Sequence, residues 1–397
     1  MFINQILEGL SHIHKSQLKF LTVLFQTIFV CQSKINFSAL ARYSQINEKT
    51  YRRNFQKEFD FVELNQTIIN HSKFNIEAFA MDASFIRKSG SETFGLDKFW
   101  NGCASRAEKG LEASIISLID VGKNASLALT VDQTEPNALI QVEGEAQKTR
   151  VDFYAEQLEK VAVTILQYTK IGVFDGFYAK QKFVDKTVGL GFVMISRLRQ
   201  DANLKHLYSG EQKLKGRPRK FAEKVDFLDL SKFTEEVTEL QKQELKLYSA
   251  KVYSPSLKRE IKLVIVKFKN KSINLFSTDL EMSGKDIFRF YRSRFSIEFL
   301  IRDAKQSGGL NDCQARDNQA IEFHWNSSLT SVNFARGMSQ ENESETPKKP
   351  FSMKSIKQQF FNEHLLKLFI CKSGLEQSLI KYEETLASLR NYAVIFS

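Results

Sequence analysis

The change of periodicity after about residue 74 constrains the fold of this chain more than any other feature of its sequence. Three strand-like runs come first, and an apolar stripe at three- and four-residue spacing follows them and predicts a helix. The predicted strands are 74–85, 111–121, 126–131, 171–175 and 191–197, and the predicted helices are 151–168 and about 178–188. This order predicts an α/β core with a mixed sheet and helices on both faces.

The first 72 residues predict a helical domain, since glycine and proline are almost absent and apolar residues recur at helical spacing. Within it, residues 37–55 resemble a helix-turn-helix, in which Asn47 can cap the second helix. That helix would display Lys49, Arg52 and Arg53, and basic residues at this place suit the reading of a DNA groove. A plain helical hairpin with a basic face is the alternative.

The remaining sequence predicts a core that is interrupted and then followed by a helical tail. Strand-like runs at 245–253, 260–267 and 272–277 predict a β-rich insertion, which also contains a basic loop, 213–220, with Arg217 and Arg219. We expect this loop to touch DNA phosphate. The predicted divisions are a DNA-binding domain 1–72, a catalytic core 73–199 and 276–336, an insertion 200–275, a linker 337–352 and a C-terminal helical segment 353–397.

Composition narrows the class of protein. The 397 residues carry a formal charge of +11, so a polyanionic partner is plausible, and 42% of them are hydrophobic, which is enough for a sizeable core. The four cysteines form no CxxC pair, which argues against a zinc site and a disulfide scaffold. The apolar run 20–31 is too short to span a bilayer. We therefore expect a cytoplasmic protein with no membrane partner.

Four residues with chemically useful side chains recur at helical spacing. Tyr291, Arg294, Glu298 and Lys305 are three, four and seven residues apart, so on one helix they fall within an arc of roughly 60°. A carboxylate flanked by cations suits a metal ion held against a phosphodiester. A solvated, salt-bridged helix face is the alternative.

This Tyr-x2-Arg-x3-Glu-x6-Lys pattern resembles the glutamate-bearing helix of the insertion-sequence 4 family of bacterial DDE transposases. The resemblance extends over roughly residues 75–335, through the segments Met81-Asp-Ala-Ser-Phe-Ile-Arg-Lys-Ser-Gly90, Gly95-Leu-Asp-Lys-Phe-Trp-Asn-Gly-Cys-Ala-Ser-Arg106, Phe174-Asp-Gly-Phe-Tyr-Ala-Lys180 and Asp312-Cys-Gln-Ala-Arg-Asp317. It implies an RNase H-like catalytic core. It also implies that Asp82, Asp175 and Glu298 are the catalytic triad.

Three carboxylates without histidine or cysteine favour Mg²⁺ or Mn²⁺ over zinc, and we expect two such ions. Asp82 would bridge both ions, with Asp175 on one and Glu298 on the other. In this scheme Arg294 and Lys305 neutralise phosphates beside the cut, and Tyr291 bonds a terminal phosphate. Further plausible DNA contacts, for which ordinary surface charge is the alternative, are Arg87, Lys88, Gln314 and Arg316.

The resemblance further implies a reaction sequence on double-stranded DNA. Such transposases bind terminal inverted repeats, nick each end, form a DNA hairpin, excise the element and join its 3′ ends to target DNA, as a homodimer. The helices after residue 353 are where we would look for dimer contacts. Two other readings stay open: a metal-dependent nuclease without strand transfer, and a non-catalytic DNA-binding regulator.

Overall fold

A computed structural model describes most of the chain. The described residues are 2–11, 13–136, 148–212, 215–240, 243–268, 271–341, 350–373 and 388–394. Within them the helices are α1 (Phe2–Glu8), α2 (Lys15–Val30), α3 (Phe37–Tyr43), α4 (Glu48–Phe55), α5 (Phe61–His71), α6 (Arg150–Leu166), α7 (Gln181–Gly189), α8 (Gly284–Ser293), α9 (Ser296–Asp303), α10 (Asn318–Glu341) and α11 (Met353–Lys372).

The strands of the described chain belong to one mixed sheet. They are β1 (Ala78–Arg87), β2 (Asp97–Asn101), β3 (Arg106–Asp120), β4 (Ala125–Gln133), β5 (Ile171–Phe174), β6 (Val193–Leu198), β7 (Lys205–Leu207), β8 (Phe221–Lys224), β9 (Thr234–Leu240), β10 (Gln243–Ser254), β11 (Arg259–Phe268) and β12 (Lys271–Ser277). Their order is β2-β3-β1-β5-β6-β12-β11-β10-β7-β8, with β4 on β3 and β9 on β10.

The centre of the sheet has the mixed strand pattern of an RNase H-like core, which confirms the predicted fold class. Strands β3 and β1 are antiparallel, whereas β1, β5 and β6 run parallel to one another. Parallel neighbours end at the same edge of a sheet, and they need a crossover between them, which α6 and α7 supply. This arrangement fixes where the acids of β1 and β5 lie.

The two faces of the sheet are covered by different helices. Alternate side chains of β1 point to opposite faces of the sheet. Ala80 and Ile86 pack into a core with the N-terminal helices and α8 to α10, whereas Phe79 and Met81 pack into a second core with α6 and α7. Asp82 is in step with Ala80 and therefore lies on the face of α8 to α10.

Buried amides tie the N-terminal helices to the sheet. Asn333 of α10 donates to Asn65 of α5 and to the carbonyl of Ala128 in β4, and its own oxygen accepts from the Ala128 amide. Asn65 in turn donates to the carbonyl of Leu129. Because both side chains are almost fully buried and bonded, removing either would leave a buried polar group unpaired, at a cost of about 1–3 kcal/mol.

The predicted insertion does not fold as a separate sheet. Strand β12 pairs with β6 of the core, and β11 and β10 continue outward from it, so the core sheet and the insertion are continuous. The runs predicted at 245–253, 260–267 and 272–277 correspond to β10, β11 and β12. Strands β7, β8 and β9 were not predicted, since they are short or rich in polar residues.

The C-terminal part differs from the prediction in one respect. The helix predicted at 318–336 continues as α10 to Glu341, so the first residues of the predicted linker 337–352 are helical. Its inner face packs into the core up to Gly337, where an added Cβ would meet Phe2 and Ser72. The rest of that linker, 342–349, lies outside the described residues, as does 374–387 of the predicted C-terminal helical segment.

Candidate active site

Two aspartates lie where the parallel pairing of β1 with β5 ends. Asp82 stands on β1 two residues after its last pairing with β5, and Asp175 follows directly after β5. The Asp175 carboxylate accepts from the amide of Phe177 and caps a single 3₁₀ turn, Gly176–Tyr178. The Ser196 hydroxyl of β6 also donates to the Asp175 carbonyl. The turn therefore holds Asp175 at the same sheet edge as Asp82.

The predicted Tyr-Arg-Glu-Lys helix is not continuous. It breaks after Ser293 into α8 and α9, and at the break the amides of Ile297 and Glu298 bond three residues back, to Arg294 and Phe295. The hydroxyl of Ser293 also donates to the carbonyl of Phe290, a local bond that competes with the helix ladder. The prediction of one uninterrupted helix was therefore wrong, although its four marked residues stay near one another.

Arg294 lies between the carboxylates at this break. Its guanidinium Nη2 is 2.6 Å from Glu298 Oε1, and its Nη1 is 3.7 Å from Asp82 Oδ2. Its side chain is only 15% exposed, so the ion pairs are poorly screened by water. One guanidinium thus joins an acid of β1 to an acid of α9.

The electrostatics of Asp82 reflect this crowding. Burial raises the pKa of Asp82 to about 7, the charge of Arg294 opposes that rise, and the negative charges of Asp175 and Glu298 add to it. Both other predicted triad members are therefore close enough to act on Asp82. Near neutral pH a small change in local charge alters the ionisation of Asp82.

Lys305 and Tyr291 also adjoin this acidic group. The Lys305 amine donates to the carbonyl of Phe85 on β1 at 2.8 Å, and it is close enough to Asp82 for the two charges to interact. Burial lowers the pKa of Lys305. Burial raises the pKa of Tyr291, which adjoins Arg294 and feels the charge of Asp175. All four residues of the predicted pattern thus border the same acidic group.

Tyr178 is a neighbour that the sequence reasoning missed. The residue is almost fully buried, and its hydroxyl has no hydrogen-bond partner among the described residues. Burial raises its pKa well above the ordinary value, and the nearby charges of Asp82 and Asp175 add to the effect. Its place three residues after Asp175 in Asp-Gly-Phe-Tyr was the available signal. The phenol of Tyr178 therefore lies close to both aspartates.

The donor chemistry of the three carboxylates suits a hard divalent cation, and their mutual repulsion would be relieved by one. The observed arrangement is not a ready-made cage, however, since no three His, Cys, Asp or Glu side chains of the described chain are grouped to hold an ion. The guanidinium of Arg294 stands between Asp82 and Glu298 instead. The carboxylates of Asp82, Asp175 and Glu298 are thus the type of ligand that such an ion prefers. They can hold it together only if the guanidinium of Arg294 moves away.

A basic cleft begins where β1 ends, and we call it the basic trench. It consists of two adjoining hollows of about 510 and 380 Å³ that share Gln314 and Arg316. Its cations are Lys34, Arg52, Arg87, Lys88 and Arg316. Its acids are engaged with backbone: Asp312 accepts from the amide of Ile35, and Asp317 accepts from the amide of Ala320. The trench therefore has an excess of positive charge.

The residues predicted to contact DNA differ in how far their side chains are exposed or already bonded. Asn47 caps α4 as predicted, and Lys49, Arg52 and Arg53 are exposed on that helix, although Arg52 is paired with Glu48. Lys88 is not free, because its amine donates to the carbonyls of Cys313 and Ala315 and so holds the trench loop.

The two arginines of the predicted basic loop are exposed and described, whereas residues 213 and 214 of that loop lie outside the described residues. Arg219 lies over the ring of Tyr208 and donates to the carbonyl of Phe221. Arg217, in contrast, is simply exposed. The loop therefore presents at least one guanidinium to solvent.

A family comparison decides the class of this protein. Residues 2–318 match the family described as archaeal putative transposase ISC1217, which is more than half of the chain. The chain belongs to this family of DDE transposases. No curated protein matches it. The predicted class, an insertion-sequence transposase, is confirmed at this level, while the specific likeness to the insertion-sequence 4 family stays a prediction.

Not one of the described helices of this transposase is long and apolar enough to cross a bilayer. The apolar run 20–31 lies almost entirely in α2, whose Leu21, Leu24 and Phe25 are fully buried in the core.

We predict that replacing Arg294 with glutamine raises the pKa of Asp82 further, because the nearest positive charge is lost while Asp175 and Glu298 remain. More of Asp82 would then be protonated at neutral pH. Carboxyl ¹³C NMR of the aspartate-labelled, metal-free protein measures this shift. The matched control is Arg292→Gln, since Arg292 is an exposed arginine of α8 that lies over Phe288. An unchanged or lower pKa in Arg294→Gln would refute the assigned ion pairs.

Proposed function

We propose that this transposase cuts double-stranded DNA at the terminal inverted repeats of its own element and joins the freed 3′ ends to target DNA, with Asp82, Asp175 and Glu298 as its catalytic carboxylates. The observation that supports the proposal is the pairing of Arg294 with both Asp82 and Glu298, with Asp175 close enough to act on Asp82, in an RNase H-like core of a chain that belongs to a transposase family. A structural helix has no need for this concentration of partly buried charge.

The same three carboxylates would hold Mg²⁺ or Mn²⁺, and we propose two ions, with Asp82 shared between them. When bound, the ions would polarise the attacking and leaving oxygens of a phosphoryl transfer. The remaining residues act on the DNA itself. Arg294, once drawn away from the acids, can pair with a phosphate through its two-pronged guanidinium.

Lys305 and Tyr291 are positioned to complete the phosphate site. Lys305 needs only to exchange its bond to the Phe85 carbonyl for a phosphate oxygen beside Asp82. Burial lowers the pKa of Lys305, and a phosphate beside the amine would oppose that shift by stabilising its charged form. Tyr291 offers a phenol next to Arg294 that can donate to a terminal phosphate.

We propose that the basic trench guides duplex DNA from α4 to the acids. Asp82 and Arg87 lie on the same strand, roughly 17 Å apart by strand geometry. Beyond Arg87 the trench continues to Arg316 and Arg52 at the helix-turn-helix-like segment. Phosphate contacts of this kind position DNA without reading its sequence. The DNA sequence would be read by α4, through Lys49, Arg52 and Arg53. The loop around Arg217 and Arg219 would contact further phosphates.

Three finer parts of the proposal rest on the family resemblance. They are membership of the insertion-sequence 4 group, a DNA hairpin as the intermediate of excision, and action as a homodimer that holds two DNA ends. Exposed apolar residues on α11, such as Leu368 and Phe369, are where a second copy would most naturally dock. A nuclease without strand transfer and a non-catalytic regulator are the rival functions.

We predict that Glu298→Gln abolishes cleavage of a duplex that carries the flanking inverted repeat, while DNA binding is largely retained. The substitution keeps the shape of the side chain but removes a carboxylate. A gel assay with Mg²⁺ or with EDTA measures nicks and hairpins at the element boundary, and pre-cut ends measure strand transfer. The loss expected for one carboxylate is on the order of a hundredfold or more.

The matched control is Glu281→Gln, since Glu281 is an exposed glutamate whose partner is Lys251, outside the proposed site. Normal cutting by Glu298→Gln would contradict the catalytic assignment. Cutting by the wild-type protein without any joining of pre-cut ends would favour the nuclease, and binding without cutting would favour the regulator.

We predict that the double variant Arg87→Ala, Arg316→Ala binds duplex DNA more weakly, with a shallower dependence of the binding constant on salt. Each lost phosphate contact should reduce the slope of log K against log salt by about 0.9. Fluorescence anisotropy over a series of salt concentrations measures both quantities.

The control is Lys182→Ala, Lys186→Ala, which removes two cations of α7 from the opposite face of the sheet. An equal loss of affinity in the control and the trench variant would mean that only net charge matters, and the trench would lose its assigned role.

A further inference from the structure

A buried lysine of the C-terminal helix lies against the segment that carries Lys305. After α9 the chain turns through a π-helical segment, Ala304–Gly308. The amine of Lys357, on α11, donates a hydrogen bond of 2.9 Å to the carbonyl of Ser307, two residues after Lys305. The match to the transposase family ends at residue 318, so it assigns no role to Lys357.

The burial of Lys357 is costly. Only 7% of the residue is exposed, and it has no ion-pair partner in the part of the chain that the structure describes. Burial lowers the pKa of Lys357 to about 8, and the nearby Cys31 and Asp312 oppose that shift only in part. The carboxylate of Asp312 accepts instead from the amide of Ile35. An apolar side chain would fill the same space without this cost, which indicates that the ammonium group itself is used.

The end of the π-helical segment is a place where a cation is favourable. The last carbonyls of a helix have no partner within it, and they form its negative end. The Lys357 amine supplies a donor for Ser307, and Nε2 of His324, on α10, lies 2.8 Å from the carbonyl of Gly309. Buried groups of α10 and α11 therefore hold the end of this segment.

The same segment is also bonded to the sheet, through Lys305 itself. The Lys305 amine donates to the carbonyl of Phe85 on β1. The segment is therefore held by β1 and by α11 at two residues that are only two positions apart. Helix α11 in turn packs on α2, where Phe360 stacks on Phe29 with ring centroids 4.9 Å apart. The first half of α11 is thus a fixed part of the core from which Lys357 can hold the segment.

We propose that Lys357 is a positioning residue for the proposed DNA cleavage: it holds the π-helical segment so that the Lys305 amine lies where a phosphate beside the cut can reach it. The inference rests on the proposed function, which assigns Lys305 to that phosphate. Without the ammonium group the carbonyl of Ser307 loses its partner, and the segment gains freedom to move. Lys357 acts through Lys305 and touches neither the DNA nor the reacting atoms.

Hydrogen exchange of the full chain, without metal or DNA, tests this hold on the segment. Lys357→Met keeps an unbranched side chain and removes the ammonium group. The amides of residues 304–310 should then exchange roughly three- to tenfold faster, while those of α6 stay unchanged. The control is Lys354→Met, which removes an exposed lysine of the same helix. Unchanged exchange in residues 304–310, or faster exchange over the whole chain, would overturn the proposal.

Cleavage kinetics test whether Lys357 acts through Lys305. At saturating DNA, Lys357→Met should cut on the order of tenfold more slowly, with its DNA affinity largely kept. The double variant Lys305→Met, Lys357→Met should cut no more slowly than Lys305→Met alone, because a residue that acts through another adds nothing once that other is gone. Losses that multiply in the double variant would contradict the proposal. Because exchange is read without DNA, failure of this inference and failure of the proposed cutting are distinguishable.

Discussion

The pairing of Arg294 with Asp82 and Glu298 is the interaction on which the rest of the site depends. Parallel pairing of β1 with β5 brings Asp82 and Asp175 to one edge of the sheet, and α9 adds Glu298. The negative charges of Asp175 and Glu298 raise the pKa of Asp82, and such repulsion destabilises the fold unless a cation offsets it. A buried guanidinium does so here, and it leaves Asp82 with a pKa of about 7.

The surrounding backbone is shaped to hold α9 in this position. After α9 the chain passes through a π-helical segment, Ala304–Gly308, which carries Lys305. Such segments often occur at functional sites because they re-aim a side chain. Gly309 then adopts a left-handed φ of 85°, and an added Cβ there would lie 2.5 Å from Ile35. The turn thus packs directly against the connection between α2 and α3, which joins the N-terminal helical region to the segment that follows α9.

The parts of the fold that could be predicted from the sequence are those with strong periodicity. The strands of the core and α6 carry continuous apolar stripes, and their order alone indicates the fold class. Strand β2 escaped prediction because only Phe99 of its five residues is buried, and its remaining side chains are polar or exposed.

The arrangement within the site was less predictable, because it depends on single hydrogen bonds. The spacing of Tyr291, Arg294, Glu298 and Lys305 correctly suggested that they lie together, but no pattern distinguishes bonds to the third residue back from bonds to the fourth. The break after Ser293 could therefore not be predicted from the sequence. Likewise, nothing in the sequence shows that the Lys88 amine donates hydrogen bonds to two backbone carbonyls while Arg87 beside it is exposed.

The most direct test of this account is an anomalous diffraction measurement on crystals of the protein with Mn²⁺ and an inverted-repeat duplex. The account predicts anomalous density bounded by Asp82, Asp175 and Glu298, with the guanidinium of Arg294 moved from the carboxylates to a DNA phosphate. Density elsewhere, or DNA bound with Arg294 still paired to Asp82 and Glu298 and no metal between them, would contradict it.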